Sequence, residues 1–424
     1  MSTVVRIVAV GDELLEGRTA DTNSRRIQRA LGSHAVQVAG IRVVPDRLEA
    51  IAEALDTTCE GEVVFVTGGL GSTPDDLTRD ALAAWAKVAL HQDAAVRARL
   101  EARWRARGIR HSPGVERQCQ VPAGLEPLEN PVGSAPGLVG RLRGRTFVLL
   151  PGVPAELEAL LPVVVARLAE LGALPKARPV LRWRTAQAAE LAIVERCADV
   201  RAAHPDLAWS WWLTEWGVDV RLAATAAQAD DLQAAGAELD RLLGPVTFSR
   251  AQEPLPAVVQ RLLVDRGATV AVAESCTGGL VGGALTEAPG ASAVFRGGVI
   301  AYADAVKREL LGVPAEVLAA DGAVSEAAVR AMAAGARRLL GTGYAVAVTG
   351  IAGPDGGSEQ KPVGTTWVGI ATPAAVFARR YRFPADRTRN RQLTVAAAVD
   401  SLRRVLVAGD AAAPWRDDDT WSRP

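Results

Sequence analysis

Apolar residues fall along this chain in two alternating rhythms. Short β-branched runs over Val4–Val10, Val36–Val44, Val63–Thr67 and Thr146–Leu150 read as buried strands. Between them, helical spacing predicts helices over about 23–31, 48–55 and 79–85. Alternation of this kind predicts a doubly wound, mostly parallel sheet. Ligands of such sheets sit beyond the carboxyl ends of the strands. There the chain carries Gly11–Gly17, the glycine-rich Gly68–Thr78, and Pro151–Glu156.

A Pro/Lys/Arg stretch, Pro175–Pro179, reads as a linker. Val180–Phe248 then reads as strand, helix, strand, strand, helix, a small α+β unit. Trp209, Trp211, Trp212 and Trp216 cluster in it, and Trp209 and Trp211 share one strand face, as a core or subunit contact would. After a second linker, Ala251–Pro256, the pattern predicts a helix over Leu255–Arg266 and a strand from Thr269. Val294–Tyr302 reads as a strand broken by Gly297 and Gly298. Asp304 caps a helix carrying Lys307, and Ser325 caps a long alanine-rich helix. Strands follow over Tyr344–Thr349, Thr365–Thr372 and Val376–Phe383, then a helix over Arg387–Leu406. The tail from Ala411, with Asp417–Asp419, reads as frayed.

Composition narrows the classes. A chain of 424 residues implies two or three domains, and 49% hydrophobic with 23% charged residues describes a folded globular protein. Lys plus Arg equals Asp plus Glu at 48 each, so no global field draws nucleic acid or anionic lipid. An arginine-rich helix, Arg97–Arg110, therefore reads as a solvated face. Cys59, Cys119, Cys197 and Cys276 form no C-x-x-C pair and read as reduced thiols. No apolar run is long enough to span a bilayer, and no signal-peptide pattern precedes Val4. The expected compartment is the cytoplasm.

Chemistry concentrates at two turns. In Thr269–Gly283 a strand meets a helix through Glu274, Ser275, Cys276, Thr277, Gly278 and Gly279. A turn like this offers free N–H groups to an anion, and the glycines admit close approach. Ser275 is either a nucleophile beside an oxyanion site or an N-cap. All four histidines lie before residue 205, which excludes a Ser-His-Asp triad in this region. Lys307 can serve as the base if it is neutral. In the first domain, Gly68, Gly69 and Gly71 suit a phosphate. Asp75 and Asp76 beside them are either capping residues or hard ligands for a divalent ion.

The motifs carry a family resemblance. Gly11-Asp12-Glu13-Leu14-Leu15, Asp21-Thr22-Asn23, Gly68-Gly69-Leu70-Gly71, Asp75-Asp76-Leu77-Thr78 and Pro151-Gly152-Val153-Pro154 resemble the N-terminal, molybdopterin-binding-like domain of the CinA family. Ser72 and Pro74 stand where that family commonly has proline and histidine. Ala273–Gly279, Gly297–Tyr302, Lys307, Gly322–Glu326, Gly350–Pro354 and Lys361–Thr365 resemble its C-terminal, nicotinamide mononucleotide amidohydrolase domain. The resemblance implies an α/β chain of four parts: 1–174 molybdopterin-binding-like, 175–250 a KH-like α+β connector, 251–410 the amidohydrolase, and 411–424 the tail. No GXXG loop is present in the connector, so a structural or dimer-forming role is expected there, with no direct nucleic-acid binding.

By the same resemblance, Ser275, Tyr302 and Lys307 carry amide hydrolysis without a cofactor. Cys276–Gly279 would hold the oxyanion and line the substrate, with Gly297, Gly298 and the Gly350, Ile351, Ala352, Gly353 loop. In the first domain Asp12, Asn23, Gly68, Gly69, Gly71, Asp75, Asp76 and Thr78 would form a nucleotide site. Asp75 and Asp76 would hold Mg, Mn or Co for ADP-ribose hydrolysis. The expected partners are those two nucleotides and a second copy of the chain in a homodimer, with no membrane. Two alternatives stand beside this: a first domain that binds a nucleotide or pterin without catalysis, and a competence- or recombination-linked partner protein.

Overall fold

The computed structural model describes residues 3–106, 108, 113–411 and 415. Arg107 and Arg110 of the arginine-rich stretch and the acidic run Asp417–Asp419 lie outside them. The described chain forms two compact units, Met1–Arg178 and Pro179–Pro424.

The first unit is built on a six-stranded sheet. Its order across the sheet is Val36–Val44, Thr3–Val10, Val63–Thr67, Arg145–Leu150, Gly137–Leu142 and Leu125–Leu128. The first four strands run parallel, and the last two are added by antiparallel pairings, so that only Gly137–Leu142 runs against the rest. Val63–Thr67 is buried on both faces, as a central parallel strand must be, which is why it reads as an unbroken apolar run. Helices cover both faces over separate apolar clusters, one around Ile51, Leu82 and Phe147, the other around Ile27, Leu157 and Val164. The arginine-rich helix spans Ala94–Ala106 and buries Val96, Leu100 and Trp104.

The second unit contains two sheets. A four-stranded antiparallel sheet runs in the order Ala208–Leu213, Val218–Ala223, Val180–Thr185, Thr247–Ser249. Trp209 and Trp211 stack on one of its faces, with ring centroids 5.6 Å apart. The five-stranded sheet runs Phe295–Ile300, Val270–Glu274, Tyr344–Gly350, Thr365–Ala371, Val376–Arg382. Its first three strands are parallel, and the last two are added by antiparallel pairings, so that only Thr365–Ala371 runs against the rest. The last helix, Arg387–Ala408, is buried along most of its length. Trp216 and Phe248 of the smaller sheet's unit join the same core as Val259, Val346 and Leu402.

The expected break at Gly297 and Gly298 does not occur. The strand continues through both, and the register slips by one residue at Arg296. Glycine is needed there for contact: a Cβ on Gly298 would lie 2.2 Å from Val272 Cγ2 on the neighbouring strand.

Candidate functional sites

The Ser275 turn differs from its sequence reading in one decisive way. The helix after it begins at Leu280 with Gly279 as N-cap, so Ser275 is not the cap. Glu274 fills the helix N-terminus instead. Its carboxylate accepts from Thr277 Oγ1 (2.6 Å) and from the N–H groups of Gly279 (2.9 Å), Val281 (3.1 Å) and Gly282 (2.7 Å). The positive end of the helix is thereby spent on a buried internal anion. Gly279 is removed from the oxyanion donors, and Gly278 N–H bonds back to Ser275 O. Only the N–H groups of Cys276 and Thr277 donate to nothing among the described residues. Ser275 Oγ also makes no hydrogen bond among them, although the residue is only 9% exposed.

Lys307 is brought to the same end of the sheet by the adjacent parallel strand Phe295–Ile300. It is 2% exposed, and its Nζ donates to Tyr302 O (3.0 Å) and Asp304 Oδ1 (3.1 Å). No hydrogen bond joins it to Ser275 Oγ. Tyr302 therefore holds the lysine through its carbonyl and not through its phenol. That phenol is largely exposed and accepts from Arg387 Nη2 at 3.4 Å.

Gly350 ends its strand against the turn, where a Cβ would lie 3.2 Å from Cys276 Sγ. Ile351 N–H is committed to Thr365 O. Gly297 and Gly298 pair with Ala271 and Val272 in mid-strand and are packing residues, not part of the turn. Burial pushes the Cys276 thiol up to about 11, so it is a protonated neighbour of the serine.

Sequence reasoning missed the brace around this turn. Arg391 donates to Cys276 O (3.1 Å) and Thr277 O (2.8 Å), Arg387 to Gly353 O (2.7 Å), and Asn390 to Ala352 O (3.1 Å). One helical turn thus ties the serine turn to the Gly350–Gly353 loop. The signal was present: arginines four apart at a helix N-terminus oppose the dipole and need other acceptors.

In the first unit the three loops surround a cleft of about 590 Å³. Gly68, Gly69, Gly71, Asn23, Asp75 and Asp76 line it, together with Asp46 and Glu13. Asp12 and Thr78 do not. Thr78 is buried and bonds Gly68 O at 2.7 Å, while the Asp12 main-chain N–H donates to Asp46 Oδ2 at 2.9 Å. Burial, then Asp12, Glu13 and Asp75, push the Asp46 carboxyl above its ordinary value, against the Asp12 N–H bond. Gly68 at φ +95° is obligatory, since a Cβ would meet Val10 O at 2.1 Å.

Asp76 is engaged within the loop and not held out toward the cleft as a ligand. Asp76 accepts from Gly71 N–H (2.7 Å), Thr73 N–H (2.7 Å) and Thr73 Oγ1 (2.5 Å), so its carboxylate staples the loop. No three His, Cys, Asp or Glu side chains converge as a metal site among the described residues. Arg79, also missed, is buried beneath the loop and donates to Leu70 O and Gly71 O, at 2.8 and 2.7 Å. Burial lowers its guanidinium to about 10.

Comparison with known proteins matches both halves. Residues 252–406 fit the family model of the CinA C-terminal domain, and residues 6–170 that of a probable molybdopterin binding domain. A CinA-like protein from Gemmatimonas aurantiaca is 41% identical over 97% of this chain and 99% of its own length. This chain belongs to the CinA family. A CinA-like protein from Frankia casuarinae is likewise 41% identical, covering 94% of this chain and 95% of the relative. A crystal structure of the competence/damage inducible protein CihA from Agrobacterium tumefaciens is 40% identical, with a TM-score of 0.35, and covers 37% of this chain and 99% of that one. The first unit is thus the molybdopterin-binding-like fold of the family and the five-stranded sheet its C-terminal domain. Among the described residues no helix is long and apolar enough to cross a membrane.

Proposed function

We propose that this CinA-family protein hydrolyses the carboxamide of nicotinamide mononucleotide, giving nicotinic acid mononucleotide and ammonia. The observation that carries the reading is a nearly buried serine hydroxyl, without a partner among the described residues, beside two uncommitted N–H groups, with a buried lysine at the same end of the sheet. Ser275 Oγ bonds to the carboxamide carbon as its proton passes to Lys307. Tyr302 O and Asp304 Oδ1 hold the Nζ that takes this proton. The reading requires Lys307 and Ser275 to meet in the substrate complex, and catalytic hydrogen bonds commonly tighten on binding. The Cys276 and Thr277 N–H groups hold the oxyanion, each worth about 3 kcal/mol of barrier. The C–N bond then breaks, ammonia leaves with the proton, and water hydrolyses the acyl-serine. Ammonia release from nicotinamide mononucleotide by the full chain, and its loss in Ser275→Ala, tests the reading.

A second activity has its own support. Asn23 Oδ1 lies buried without a partner at the first unit's cleft, while its Nδ2 is fixed to Gly152 O at 2.8 Å. An acceptor left so at a glycine-lined cleft suits a ligand hydroxyl or N–H. We infer a nucleotide there, with hydrolysis of ADP-ribose as the activity to assay by AMP release. Saturable ADP-ribose binding without AMP would favour the non-catalytic binder.

A further inference from the structure

Polar groups along the cleft of the first unit fall in a definite order, set by the sheet beneath them. Asp46 stands two residues past the strand Val36–Val44, and Gly152 two residues past Arg145–Leu150. Three strand gaps separate those strands, with Val63–Thr67 and its glycine turn between them. At about 4.8 Å per gap, the loops carrying Asp46 and Gly152 lie ~14 Å apart.

Both ends of this span accept, and the middle donates. At one end Asp46 Oδ2 takes the Asp12 N–H at 2.9 Å, while Oδ1 bonds nothing among the described residues. In dinucleotide-binding sheets an acidic residue in the corresponding place holds a ribose hydroxyl. At the other end Asn23 is 8% exposed, and its Nδ2 donates to Gly152 O at 2.8 Å. That bond fixes the amide, so the buried, unpartnered Oδ1 can only accept. A phosphate oxygen offers it nothing at neutral pH, whereas a hydroxyl or an amino group does. Between the two ends, Gly69 and Leu70 line the cleft, and their main-chain N–H groups meet no acceptor among the described residues. Free N–H groups in a glycine turn suit phosphate oxygens.

Acceptor, donor, acceptor is the complement of hydroxyl, phosphate, hydroxyl. Building on the nucleotide reading of this cleft, we propose that its ligand is a diphosphate joining two ribose units. One ribose donates a hydroxyl to Asp46 Oδ1 and the other to Asn23 Oδ1, and the diphosphate lies on the Gly69 and Leu70 N–H groups. Glu13 and Asp75, which also line the cleft, repel that charge, so binding tightens as salt screens them.

The test is calorimetric titration of the full chain, and of Asp46→Ala and Asn23→Ala, with ADP-ribose and with ADP, which keeps one of the two sugars. ADP-ribose should bind about tenfold more weakly to each variant, as loss of one hydrogen bond predicts. ADP should weaken in only one of them. Loss of ADP affinity in both variants or in neither, or unchanged ADP-ribose affinity in either, would overturn the assignment. Asn23→Ala also gives up the Gly152 bond, so a second measurement uses wild type alone. There 2′,3′-dideoxy-ADP should bind about tenfold more weakly than ADP, and inosine diphosphate should match ADP. The opposite ranking would make the adenine amino group the donor and overturn the ribose assignment. Failure of ADP-ribose to bind wild type at all would sink the nucleotide reading too, whereas binding with the wrong pattern sinks only the placement of the two sugars.

Discussion

The carboxylate of Glu274 accepts the hydroxyl of Thr277 at 2.6 Å while also receiving three main-chain N–H groups. Four donors and no cation converge on one buried anion. In Glu274→Gln an amide NH₂ must face at least one of those donors. The variant should lose about 1–3 kcal/mol of stability, the cost of an unsatisfied buried polar group. Denaturant unfolding measures this. Ammonia release should fall as well, because the same carboxylate shapes the Ser275 turn.

Ser275 and Cys276 are separated by a second experiment. Ser275→Ala should lower turnover about 10³-fold or more, as loss of a nucleophile does. Cys276→Ala should keep most activity. With its thiol held up to about 11 by burial, Cys276 should react with iodoacetamide very slowly at pH 7, and faster as the pH approaches that value. Mass spectrometry of the alkylated peptide follows it. An active Ser275→Ala with a dead Cys276→Ala would reverse the assignment.

Lys307→Arg should be nearly as inactive as Ser275→Ala, since a guanidinium stays protonated and cannot accept the serine proton. Asp304→Asn removes the one carboxylate among the two Nζ partners and should lower turnover without abolishing it. Turnover beside the melting temperature distinguishes that from simple loss of fold.

The parallel strands of the first unit were legible because strands buried on both faces write continuous apolar runs such as Val63–Thr67. So were the last helix and the cap at Ser325, which accepts Ala328 N–H at 3.2 Å. What could not be read was where a polar side chain sends its bonds. Glu274 and Ser275 are adjacent, and pattern alone gave the helix N-terminus to a ligand when the glutamate takes it. Asp75 and Asp76 are adjacent too, and only the fold of Gly71–Thr73 turns Asp76 into a staple. Arg391 lies 115 residues from Cys276, a separation no local rule bridges.

Asp76→Ala should therefore collapse the glycine loop rather than strip a metal. Its melting temperature should fall, and AMP release from ADP-ribose, where wild type shows it, should not be rescued by raising divalent metal. Rescue by metal would restore the ligand role to Asp76.

Acid sensitivity has a localised source in Asp400. Burial works to raise its pKa, but Arg403 and Arg404, each bonding it at 2.7 Å, outweigh that and hold it below the ordinary value. A depressed carboxyl stabilises the fold above its unfolded value of about 3.9 and loses that contribution as pH falls through the folded value. Asp400→Asn should lower stability at pH 7 and flatten its decline in acid, as thermal unfolding between pH 7 and pH 3 would record.

The last helix carries a consequence for synthesis. Its first turn, Arg387 to Arg391, ties the serine turn, made 115 residues earlier, to the loop at Gly353, made 34 residues earlier, and the rest of it fills the core behind them. Because chains fold as they emerge, N-terminal parts first, the serine turn reaches solvent long before its clamp exists. A ribosome-bound chain lacking its final segment would thus carry every predicted reacting group yet remain silent. Competence for chemistry would be conferred at release, and premature termination near the end of the message would yield an inert product rather than a weakened one.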